Sequence, residues 1–68
     1  MLQLIEQVIR DNVNLTPIEL KDKVSQILDR WVKIKSIYIN YSLNVVGIVF
    51  EDTRTGEVLH KQFKCKGL

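Results

Sequence analysis

The sequence has one cysteine, Cys65, and one histidine, His60. A lone cysteine excludes a disulfide within the chain. One Cys and one His close together, with no second pair, do not make a structural metal site, so neither a metal nor any other cofactor is expected. Aromatic residues are 7% of the chain, with Trp31 the single tryptophan. Long apolar runs are also missing. The longest, counting glycine, is Val45 to Phe50, far too short to span a bilayer. The opening residues, Met1-Leu2-Gln3-Leu4-Ile5-Glu6, lack the basic start and apolar core of a signal peptide. These absences together point to a cytoplasmic protein with a reduced thiol and no membrane contact.

No large excess of charge exists either. The net charge is +2, which by itself favours no class of partner. The charge is unevenly divided. Residues 1–30 hold four basic and five acidic groups, and residues 31–68 hold six basic and three acidic.

What is present is a folding pattern. At 68 residues and 46% hydrophobic content the chain has room for one globular domain, 1–68, and no more. A chain of this size buries only about 60% of the surface its unfolded form exposes.

Apolar residues at helical spacing predict a first helix over about 2–13, with Leu2, Leu4, Ile5, Val8, Ile9 and Val13 on one broad face. Thr16 is a good N-cap, Pro17 stands at the first helical position, and Glu19 completes a capping box. Leu15 and Leu20 stand where a hydrophobic staple needs them. The second helix therefore starts at Pro17 and is expected to run to about residue 31, with Leu20, Val24, Ile27, Leu28 and Trp31 as its apolar stripe.

From Val32 the period changes to two, and three strands follow at about 32–41, 45–51 and 58–65. Asp52-Thr53-Arg54-Thr55-Gly56-Glu57 reads as a hairpin loop with Gly56 in the left-handed position. The expected fold is α+β. Two N-terminal helices pack on one face of a three-stranded antiparallel meander, ordered ααβββ, with the middle strand central. The stretch Val46 to Phe63, through Thr55-Gly56-Glu57-Val58 after a valine-rich strand, resembles the hairpin of bacterial flagellar FlaG-type proteins. The resemblance spans under a third of the chain and implies a hairpin, with no function attached.

Two helices cover one face of such a sheet. Strict alternation leaves Ile34, Tyr38, Val45, Val49 and Val58 on the other, relieved by Ser36, Gly47, Glu51, His60 and Gln62. An uncovered antiparallel face ordinarily reads polar. β-branched residues line many exposed strands because they suit the pleat. This set is nonetheless more apolar than a solitary domain requires, and it is the expected protein–protein surface, for another copy or another protein, with Tyr38 as anchor.

The alternative partner is nucleic acid, reached by Lys33, Lys35, Arg54, Lys61, Lys64 and Lys66. Phosphate binding needs such residues on one face. Lysines on edge strands also serve simply to block edge-to-edge pairing. The helix pair makes a poor DNA reader, since Glu19 sits in the first turn of the second helix where it repels phosphate. No motif supplies His60 with a nucleophile and an orienting carboxylate, so no catalytic residue and no small-molecule substrate are expected. Cys65-Lys66-Gly67-Leu68 has the length of a prenylation box, but Lys and Gly fill its aliphatic positions. Cys65 is read instead as a partly exposed structural thiol.

Overall fold

The computed structural model describes residues 2–65. Helix α1 spans Leu2–Asp11 and helix α2 spans Pro17–Ser25. Strands β1 (Val32–Asn40), β2 (Val45–Asp52) and β3 (Val58–Lys64) follow and form one antiparallel sheet in the order β1-β2-β3. The fold is the expected ααβββ arrangement with β2 in the centre.

In α1, Ile5 and Ile9 are fully buried and carry the helix onto the sheet. Val8 and Val13 pack against the same core. Leu4 does not join them and is exposed. It lies about 100° around the helix from Ile5, outside the buried arc. The helix stops where Asn12 turns back, its Nδ2 donating to the Val8 carbonyl at 2.7 Å.

The capping box of α2 is formed. Thr16 Oγ1 accepts from the Glu19 N–H, and Glu19 Oε1 accepts from the Thr16 N–H. The helix ends at Ser25, well short of residue 31. Beyond it the bonds tighten to three-residue turns, Ile27 N–H to Val24 O and Leu28 N–H to Ser25 O. Ile27 and Leu28 still reach the core from these turns. Trp31 does not and is 39% exposed. The cause is tertiary. The Trp31 carbonyl accepts two bonds from Thr53, from its N–H at 2.7 Å and its Oγ1 at 2.8 Å. The chain turns there, with the Val32 N–H donating to the Asp29 carbonyl at 2.9 Å, and the hairpin loop holds Trp31 at the entry to β1.

The pairing of β1 with β2 carries an irregularity that alternation does not reveal. Ile34 stands opposite Phe50, and Ser36 stands opposite Val49, so Lys35 is the extra residue of a β-bulge. A bulge resets the alternation of faces. Val32 and Ile34 before it therefore share a face with Ile37 and Ile39 after it. Ile34 is 6% exposed and belongs to the core, not to the outer face where strict alternation puts it.

The core is thus Ile5, Ile9, Leu20 and Val24 from the helices against Ile34, Val46, Ile48, Phe50, Phe63 and Cys65. Cys65 is buried rather than partly exposed. Burial pushes its thiol pKa up, and nearby Glu6 acts in the same direction while Arg10 opposes it. Among the described residues the core holds no buried polar or charged side chain.

The bulge makes a direct stability prediction. Ile34→Ala should lose about 2–5 kcal/mol, the range for truncating a buried isoleucine, whereas Ser36→Ala should be nearly silent. Urea denaturation checks both, and a loss under about 1 kcal/mol for Ile34→Ala would restore the unbulged register.

Candidate functional site

The sheet face that the helices leave open is built of four rows, each with one residue per strand. From the hairpin end they are Lys33, Glu51, Val58; then Ser36, Val49, His60; then Tyr38, Gly47, Gln62; then Asn40, Val45, Lys64. Of the five residues expected to form a partner surface, Tyr38, Val49, Val58 and Val45 are here. Ile34 is not. Val45 is itself 6% exposed, although it stands outside the main core cluster. The accessible apolar surface is therefore Tyr38 and Val58, with Val49 half-buried between. It is smaller than strict alternation predicts.

Tyr38 is held in place by its surroundings. Gly47 is the residue directly across from it, and a Cβ at Gly47 would overlap the Tyr38 ring. The missing side chain lets the ring lie down across β2 toward β3. There Gln62 Nε2 donates to the phenol oxygen at 3.1 Å, and the phenol lies 2.9 Å from His60 Nε2. The two rings stand 5.8 Å apart, tilted by 55°. One aromatic side chain thereby bridges all three strands.

Ser36 and His60 share a row but stand two strands apart, roughly 10 Å by strand spacing, so they do not form a nucleophile–base pair. Lys33 Nζ is 3.4 Å from Glu51 Oε1. Among the described residues no three of His, Cys, Asp and Glu gather in a way that would hold a metal ion, and no helix is long and apolar enough to cross a membrane.

The basic residues do not converge. Lys33 and Lys35 lie on one edge strand, and Lys61 and Lys64 on the other. Lys61 shares the row of Ile37 and Ile48 on the helix side of the sheet, and Lys64 shares the row of Val45 on the open side. Lys66 lies outside the described residues.

Arg54 has different company. It sits in the hairpin loop with its guanidinium carbon 5.3 Å from the centre of the Trp31 ring, and Arg30 lies 4.4 Å from the same ring. The pattern of the chain hides this cluster, because Arg30 and Trp31 read as helix. The adjacency of Arg30 and Trp31 was the one signal available.

The loop itself is well ordered by local bonds. Gly56 adopts φ +78°, as its place requires. Asp52 Oδ1 accepts from the Arg54 N–H at 2.8 Å, and the Arg54 Nε lies 3.6 Å from the same oxygen. The Arg54 backbone N–H, above all, holds the Asp52 carboxyl below its ordinary value of 3.8.

Comparison with known protein families, with curated proteins and with solved structures gives no match to this chain.

Two predictions follow from this geometry. Gly47→Ala should turn the Tyr38 ring out into solvent and break its bonds to His60 and Gln62. Loss of the Tyr38–His60 ring contact by NMR, with the fold retained, is the expected result. A carboxylate depressed on folding contributes stability above its unfolded pKa, and that contribution disappears as pH falls through the folded value. The Arg54 amide shift should accordingly titrate with a midpoint below 3.8, and Asp52→Asn should abolish the transition.

Proposed function

We propose that this chain is a small non-enzymatic interaction protein that associates with a second copy of itself through the helix-free face of the sheet. The observation that carries the reading is Tyr38, an exposed aromatic fixed across Gly47 by His60 and Gln62 on a face no helix covers. A ring already ordered in the free protein loses little freedom on binding, and a phenol with an apolar body suits an interface centre.

The charges on the face permit a copy of the same chain. Lys33 and Glu51 pair in the first row at 3.4 Å, and Lys64 stands in the last. A two-fold contact that reverses the rows sets each Lys64 against that neutral pair and away from the partner's Lys64, so no like charges oppose it. Three strands about 4.8 Å apart and roughly seven residues long give a few hundred Å² per copy. That is under the roughly 800 Å² per partner of a standard stable interface, so the association is weak and concentration-dependent.

Sedimentation equilibrium across a wide concentration range tests this. A monomer–dimer equilibrium is expected that persists in high salt, since apolar contact dominates, and that Val49→Lys or Tyr38→Asp abolishes without unfolding the chain. A strict monomer at the highest concentration would exclude a second copy as the occupant. Unchanged association in both variants would exclude this face.

A further inference from the structure

The open sheet face carries one side chain that changes charge near neutral pH. His60 is the single histidine, and histidine is the side chain that ordinarily titrates between about pH 5 and 8. It is exposed in the second row, beside Val49 and next to the row of Tyr38, Gly47 and Gln62. Its Nε2 lies 2.9 Å from the Tyr38 phenol, whose ring reaches across Gly47. That contact ties the imidazole to the anchor of the face.

The groups around His60 do not neutralise an added proton. From β1 the face presents the Tyr38 phenol and, in the first row, Lys33. From β2 it presents Glu51, which Lys33 already holds at 3.4 Å. On β3 Lys64 stands two rows away, and the helices lie on the other side of the sheet. Among the described residues no carboxylate is within ion-pair distance of His60. Lys33 and Glu51 offset each other, so Lys64 leaves the face one net positive charge, and a proton on His60 doubles it.

A two-fold contact that reverses the rows sets the second row against the partner's third. Each His60 then meets the row of the partner's Tyr38, next to the axis. The two imidazoles stand one row apart along the strands, about 7 Å. Neutral imidazoles are covered there at little cost. Protonated, each is a cation that loses water to an apolar surface with no carboxylate to meet it, and it faces a like charge across the contact.

We infer that His60 is a pH gate on self-association, which holds while its imidazole is neutral and is released when both ring nitrogens are protonated. The gate presupposes the self-association proposed for this face and adds a control to it. Either neutral tautomer serves, since both nitrogens carry protons only in the cation. Covering the face disfavours the added proton, so the dimer is favoured above the titration range of the free histidine and lost as pH falls through that range.

Sedimentation equilibrium of the full chain at about pH 8 and about pH 5.5, at constant ionic strength, is the test. The association constant should be lower at the acid pH by about tenfold or more. His60→Gln, neutral throughout and able to bond the phenol, should associate equally at both. His60→Lys, a fixed cation, should remain monomeric at both. Far-UV circular dichroism confirms that each variant is folded. Equal association of the unmodified chain at the two pH values overturns the gate and leaves the contact standing. A pH dependence that survives in His60→Gln overturns it by placing the proton elsewhere. Undiminished association of His60→Lys overturns charge as the cause. A monomer at both pH values removes the contact itself, and the gate with it.

Discussion

The inner row of the central strand is the surface against which everything else is placed. Val46, Ile48 and Phe50 sit between two neighbouring strands and beneath two helices, and all three are buried. Strand β1 must match this row with Ile34, Ile37 and Ile39, whose spacing is odd at one step. No regular strand can put all three on one face. The bulge at Lys35 resolves the conflict by resetting the alternation after Ile34. The helices then contribute Ile5, Ile9, Leu20 and Val24 to the same layer, and the domain has one core rather than two.

The same adjustment sets the character of the opposite face. With Ile34 taken into the core, the open side keeps a tyrosine, valines at graded depth, and polar ends. Its organising feature is small. A glycine at position 47 lets Tyr38 reach across the sheet to His60 and Gln62, turning an uncovered face into an ordered one. At the hairpin end the loop bonds of Thr53 hold Trp31 half out of the core, beside two arginines.

Local chemistry was legible wherever it is complete within a few residues. The capping box of Thr16, Pro17 and Glu19 is decided by bonds spanning three positions, and the left-handed Gly56 by a single backbone angle. The meander order followed from short connections. Other features were hidden because they depend on distant partners. Helix α2 stops at Ser25 and passes into three-residue turns, while its periodicity continues to Trp31, whose carbonyl is held by Thr53 from the distant hairpin loop. Leu4 looks apolar and helical yet is exposed.

By itself the sequence determined the element order, the capped second helix and the hairpin, since these rest on nearest-neighbour chemistry and on two periodicities. The tertiary structure alone decided which side Ile34 faces, where α2 ends, and which arginines meet the tryptophan. Those outcomes depend on the register between strands. Register is fixed by matching buried rows across the whole sheet, and a one-residue shift exchanges core for surface without altering any local signal.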